Sequence, residues 1–145
     1  MKILFVCTGN TCRSPMAHVM AAKLLGEGYT TASAGIMAAP DAPASAHAIA
    51  VMKERELDLS AHRSQLVTEA LLEEADIICA MTFAHKSALI RLVPPGSPII
   101  AKVRTLGAHD VSDPFGGDIA VYRACADEIY TLLEKIKEAP LGNIS

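Results

Sequence analysis

A basic surplus is missing from this 145-residue chain: 13 lysines and arginines stand against 16 aspartates and glutamates, a formal charge of −3. Proteins that grip nucleic acid usually carry such a surplus, so nucleic acid is not expected as a partner. Long hydrophobic runs are also missing. None approaches the roughly 20 residues that cross a bilayer, and "KILFVC" near the N-terminus is too short for the apolar region of a signal peptide and runs into "TGNTCRS" instead of a small-residue cleavage site. No membrane contact is expected, and a soluble cytoplasmic protein is. Cysteine is sparse: Cys7, Cys12, Cys79 and Cys125 are too few, and the last two too embedded in apolar patterns, for a secreted disulfide framework. Reduced thiols fit better. His18, His47, His62, His85 and His109 are scattered, and none pairs with a cysteine at zinc-site spacing, so a bound metal is not expected. Repeats, linkers and low-complexity segments are absent too, and one domain over residues 1–145 is expected.

What the chain does contain is an ordinary globular composition, 51% apolar and 20% charged, arranged as alternating strand and helix patterns. "KILFVC" (Lys2 to Cys7), "TTASAG" (Thr30 to Gly35), "DIICAM" (Asp76 to Met81) and "SPIIAKV" (Ser97 to Val103) read as short strands, the first and third as buried parallel ones. Helices are expected from Pro15 to about Gly26 with Ser14 as cap, from Ala46 to about Glu56, and from Glu69 to Ala75 behind Thr68. Another starts at Thr82 and stops near Leu92, before Pro94 and Pro95. A last one has a face marked by Val121, Cys125, Ile129, Leu132 and Ile136, and the charged "EKIKEAP" reads as its solvated end. This alternation predicts an α/β fold, a parallel sheet with helices on both faces, and ligands bound beyond the carboxyl ends of the strands.

Cys7 sits at one such end. It opens "CTGNTCRSP", in which Arg13 and Ser14 stand at the start of the next helix. A loop wound around a helix start turns successive N–H groups inward and makes an anion nest, strengthened by the positive end of the helix dipole. Thr8, Gly9, Asn10, Thr11 and Cys12 supply that backbone, with Gly9 and Asn10 tolerant of strained conformations. Arg13 adds a planar fork that grips two oxygens of a tetrahedral oxyanion. No G-K-[ST] is present, so this is not a nucleotide loop of the lysine type. The same field favours the thiolate of Cys7, placed to attack phosphorus while amides and Arg13 hold the transition-state oxygens. The bland alternative is a buried strand-end cysteine beside a surface cation. A leaving group also needs a proton donor, which the loop lacks. Asp113 in "SDPFGG" is the best candidate, with Asp110 and Asp118 as competitors, and each could equally be a turn former.

With "CTGNTCRSP" near one end and "DPFGG" near the other, the sequence resembles the low-molecular-weight protein-tyrosine phosphatase family over nearly its whole length. "SAG" at Ser33 to Gly35 and "HRS" at His62 to Ser64 are similar to family stretches. The resemblance implies a four-stranded parallel sheet of order 2-1-3-4 flanked by helices, no metal or cofactor, and phosphorylated proteins as substrates. It implies Cys7 as the nucleophile that becomes phosphocysteine, Arg13 as phosphate binder and Asp113 as general acid and then base. Asn10 would hold the strained loop backbone, and Ser14 would support the thiolate. Tyrosine-specific members commonly carry an aliphatic residue where Thr11 stands, and aromatic residues after the D-P. Here Phe115 precedes two glycines, a pattern similar to the bacterial protein-arginine phosphatases of the family. The slim polar guanidinium of phosphoarginine suits Thr11, which can accept one of its N–H bonds where an isoleucine would leave it unpaired.

Phosphoarginine is therefore the favoured substrate and phosphotyrosine the alternative. Further rivals are arsenate reduction, which needs resolving cysteines on a mobile segment, and a non-catalytic anion-binding or redox-sensing module, which has no need of Asp113. Cys12 reads either as a packing residue or as a partner for a reversible disulfide with Cys7. Cys79 and Cys125 read as core. Phe115 walls the pocket entrance or anchors its loop, and His109 and Asp110 read as solvated loop residues.

Overall fold

The computed structural model describes residues 1–138; residues 139–145, including the last two residues of "EKIKEAP", lie outside the described residues. Its centre is a four-stranded sheet of order β2-β1-β3-β4, built from β1 (Lys2–Cys7), β2 (Thr30–Gly35), β3 (Ile77–Ala80) and β4 (Val103–Thr105), and every pairing is parallel. The period of 2 in β1 divides the core. Ile3, Phe5 and Cys7 face one side, against α1 (Arg13–Leu25), α2 (Ala46–Glu54) and α5 (Ile119–Glu138). Leu4 and Val6 face the other, against Leu72 of α3 (Glu69–Glu74) and Leu89 of α4 (Phe83–Arg91). Burying each such side chain stabilises the fold by about 1.5–3 kcal/mol, and β1, inner on both faces, is the element that ties the two half-cores together. The sheet order and the helices on both faces are as the resemblance implied.

Four local readings are corrected. "SPIIAKV" is not a strand. Ser97 accepts from the Ile99 N–H and Pro98 occupies the first turn, so Pro98–Lys102 winds into a 3₁₀ helix and β4 begins only at Val103. A proline at a helix start overrides the β preference of two isoleucines. Helix α1 begins at Arg13 behind Cys12, not at Pro15 behind Ser14, because the Ser14 hydroxyl is engaged elsewhere. Helix α2 ends at Glu54, as Glu56 takes a left-handed φ of 62°. The buried stripe of α5 is Tyr122, Cys125, Ala126, Ile129, Leu133 and Ile136, while Val121 is exposed and Leu132 only partly buried. The Thr68 and Thr82 caps form as expected, each side chain accepting an N–H three residues on. No helix of the described residues is long and apolar enough to cross a membrane.

Candidate active site

At the carboxyl end of β1 the chain turns through residues 8–12 into α1. The carbonyls of this turn point outward. Cys7 O accepts from the Ile36 N–H at 3.0 Å, Thr8 O from Met37 at 2.9 Å and Thr11 O from Ser45 at 2.9 Å. Asn10 O accepts from His62 Nε2–H at 2.7 Å. In a planar trans peptide the following N–H points the opposite way, so the amides of Thr8, Gly9, Thr11 and Cys12 face the inside of the turn. The result is an anion nest at the positive end of a 13-residue helix whose first turn contains no acidic residue. The end of β2 closes against it. A Cβ at Gly35 would come within 2.6 Å of Thr8 O and 2.9 Å of Asn10 N, so this position requires glycine.

Asn10 holds the turn from within. It is fully buried with a left-handed φ of 56°, which asparagine tolerates best among non-glycine residues. Its Nδ2 donates to Ser14 Oγ at 2.8 Å and to Ser33 Oγ at 3.0 Å, and its Oδ1 accepts from the Gln65 N–H at 3.0 Å. Ser14 Oγ lies 2.9 Å from Cys7 Sγ. Because that oxygen already accepts from Asn10, its own proton is free to point at the sulfur.

A cleft of about 250 Å³ opens above, lined by Cys7, Thr8, Gly9, Thr11, Cys12, Arg13, Asp113 and Phe115. Arg13 is 5% exposed, anchored by donation to Val111 O at 3.0 Å, with its other nitrogen 3.6 Å from the Asp113 carboxylate. The Asp113 side chain is 56% exposed, and Phe115 at 78% stands at the rim. The competing aspartates are engaged elsewhere. Asp110 accepts the Phe83 N–H at the start of α4, and Asp118 the Val121 N–H at the start of α5. Eight of the residues expected at the site thus share one cleft, while Asn10 and Ser14 stand buried behind it as supports.

The four cysteines are free thiols and all are buried. Cys12 Sγ lies 3.3 Å from the Tyr122 hydroxyl, and burial together with that contact pushes the phenol above its ordinary value. Burial pushes the Cys79 thiol up to about 12 and Cys125 likewise to about 12, so both are core thiols, as expected.

Two histidines that sequence spacing left unassigned reach the turn: His62, through Asn10 O, and His85, whose Nε2 lies 2.8 Å from Thr8 Oγ1. Burial and the nearby Arg13 guanidinium push His85 below the ordinary histidine value, against a weaker upward pull from Asp110 and Asp113. The contact to Thr8 joins residues 77 positions apart, and no local pattern announces it.

A thiol at the floor of an amide nest, a buried guanidinium and an exposed carboxyl line one cleft whose donors suit a tetrahedral oxyanion. Comparison with known proteins agrees. A family model described as low molecular weight phosphotyrosine protein phosphatase matches residues 2–141. A protein-arginine-phosphatase of Geobacillus stearothermophilus is 39% identical over 140 residues, covering 94% of each chain. The low molecular weight protein-tyrosine-phosphatase PtpB of Staphylococcus epidermidis is 35% identical, covering 94% of this chain and 97% of its own. A solved structure of YwlE arginine phosphatase, a C7S mutant with a phosphorylated active site serine, superposes with a TM-score of 0.85 at 38% identity, covering 97% of this chain and 98% of the other. The chain belongs to the low-molecular-weight phosphotyrosine protein phosphatase family.

Proposed function

We propose that this chain, as one phosphatase domain over residues 1–145, removes phosphoryl groups from phosphorylated proteins through a phosphocysteine on Cys7, and that phosphoarginine is its preferred substrate. Cys7 attacks phosphorus in line. The inward amides of Thr8, Gly9, Thr11 and Cys12, with Arg13, hold the equatorial oxygens as charge spreads onto them. Asp113 protonates the departing nitrogen or oxygen and then takes a proton from the water that hydrolyses the phosphocysteine. The phosphoryl group passes from substrate to sulfur to water, and Cys7 returns to its starting state.

The observation that carries the substrate preference is the position of Thr11 on the cleft wall. A hydroxyl there accepts an N–H from a guanidinium, which an aliphatic side chain would strand unpaired. The glycines after Phe115 leave the rim without a further aromatic to grip a phenyl ring. The named arginine phosphatase among the relatives supports the same reading. Phosphotyrosine is the alternative, supported by the named tyrosine phosphatase. Arsenate reduction is disfavoured, since Cys79 and Cys125 are buried in the core, one in β3 and one in α5, where burial pushes their thiols up to about 12. A passive anion-binding or redox-sensing module has no use for Asp113 over the cleft. Side-by-side kcat/KM on matched phosphoarginine and phosphotyrosine peptides tests the reading: the preference holds if the arginine peptide is turned over more efficiently and is refuted if the tyrosine peptide is.

A further inference from the structure

Thr8 is the first residue after Cys7, is exposed and lines the cleft, and its hydroxyl is not held by any bond within the turn. It is fixed from outside. His85 sits in the first turn of α4, which is anchored twice: Thr82 Oγ1 accepts the His85 N–H at 3.0 Å, and Asp110 Oδ1 accepts the Phe83 N–H at 2.9 Å. From there Nε2 reaches Thr8 Oγ1 at 2.8 Å. The other ring nitrogen, Nδ1, is buried with no hydrogen-bond partner.

That orphan decides the tautomer. If Nδ1 carried the proton, an N–H would be buried unpaired. With the proton on Nε2, only a lone pair is left without a partner, the less costly arrangement. A doubly protonated ring would bury an unpaired charged donor near Arg13. Neutral His85 therefore donates Nε2–H to Thr8 Oγ1. A hydroxyl has one proton to give, and once its oxygen accepts from the ring, that proton is directed away from His85.

We propose that His85 is a positioning residue, locked in its Nε2–H tautomer, that turns the Thr8 hydroxyl proton into the cleft as a further donor to a bound phosphoryl oxygen. The proposal rests on the phosphatase reading and extends it. Thr8 adds a side-chain donor at the mouth of a nest otherwise made of amides and Arg13, and α4 becomes part of the binding machinery without touching the substrate. The pairing assigns the two cleft threonines opposite roles: Thr8 donates to the phosphoryl group, and Thr11 accepts from the group that leaves.

The test uses the whole chain. Long-range ¹⁵N-edited NMR of the imidazoles, with and without inorganic phosphate, reads the tautomer directly, and the Nε2–H form of His85 is expected. In a double-mutant cycle, Thr8→Val and His85→Leu should each weaken inorganic phosphate binding by about tenfold, the scale of one hydrogen bond to a charged group. Together they should do no more than either alone. His85→Gln, whose amide can donate near the place of Nε2, should retain binding within about threefold. Thermal melts of the variants separate misfolding from loss of the contact, and the tautomer reading needs no variant. An Nδ1–H tautomer, multiplicative losses in the cycle, or a glutamine variant as weak as the leucine one overturns the proposal. Turnover of an activated aryl phosphate by the unmodified chain is measured alongside. Its absence would defeat the phosphatase reading, while the tautomer and the phosphate-binding cycle still judge the role of His85.

Discussion

The hydroxyl of Ser14 stands 2.9 Å from the sulfur of Cys7, and the direction of its proton is set by Asn10, which donates to the same oxygen at 2.8 Å. In the proposed reaction a donor held in this way would stabilise negative charge on sulfur both before attack and when the phosphocysteine is cleaved. Ser14→Ala is expected to lower kcat on an aryl phosphate by about ten- to a hundredfold, the effect of one hydrogen bond to a charged group. Its melting temperature should fall only modestly, because Asn10 keeps its bond to Ser33. Stopped-flow turnover with parallel thermal melts checks both.

Asn10 joins conformation to hydrogen bonding. Its backbone is left-handed, its two donations are buried, and it also accepts from Gln65. Asn10→Ala strands the buried hydroxyls of Ser14 and Ser33 and leaves at positive φ a residue that tolerates it less well than asparagine, so a loss of about 2–4 kcal/mol is expected. Asn10→Gly should recover only the conformational part. Urea unfolding of the two variants measures the difference; a glycine variant as stable as the original would mean the side-chain bonds contribute nothing.

Acid should destabilise the fold through His18 and His85. Burial holds His18 below the ordinary histidine value, with His62 adding to the shift, and burial with Arg13 does the same for His85. The unfolded chain therefore binds more protons than the folded one as pH drops through about 6.5. The stability these neutral rings allow is present above that value and is lost as pH falls through their lower folded values. Unfolding free energies at pH 7.5, 6 and 5 should fall in that order. In His18→Asn, which keeps a polar partner for Thr31 but cannot titrate, the fall should be shallower.

Thr11 tests the substrate preference. Thr11→Ile should reduce kcat/KM on a phosphoarginine peptide by about tenfold or more, through the unpaired N–H it leaves on the substrate, and should spare or improve phosphotyrosine. Parallel kinetics on the two peptides decide it; an unchanged ratio would remove Thr11 from the account of specificity.

Much of the fold was legible because short-range physics wrote it. Continuous apolar runs marked β1 and β3, threonines marked the starts of α3 and α4, and the alternation of strands and helices required parallel pairing. The start of the fourth strand is hidden in the sequence because two isoleucines look extended, whereas the Ser97–Pro98 pair starts a helix. The start of α1 is hidden as well, because Ser14 has the chemistry of a cap while its hydroxyl instead contacts the sulfur of Cys7. At the site, residue type and the family resemblance bring Cys7, Arg13 and Asp113 forward, and the structure lines one cleft with all three. The separation of cleft wall from support was not legible, since Asn10 and Ser14 lie in the same turn as the residues that line it. Nor was His85, whose role depends on a long-range contact to Thr8 and an unpartnered nitrogen, both created only by packing.

The central claim is that the sulfur of Cys7 carries the phosphoryl group between substrate and water. Rapid-quench mass spectrometry of an Asp113→Asn variant mixed with an aryl phosphate measures this directly, since slowed hydrolysis should let the intermediate accumulate. The expected result is a near-stoichiometric burst of phenol with one phosphoryl group on the peptide bearing Cys7, and no burst in Cys7→Ser. Undiminished turnover in Cys7→Ser, or phosphate trapped on any other residue, would contradict it.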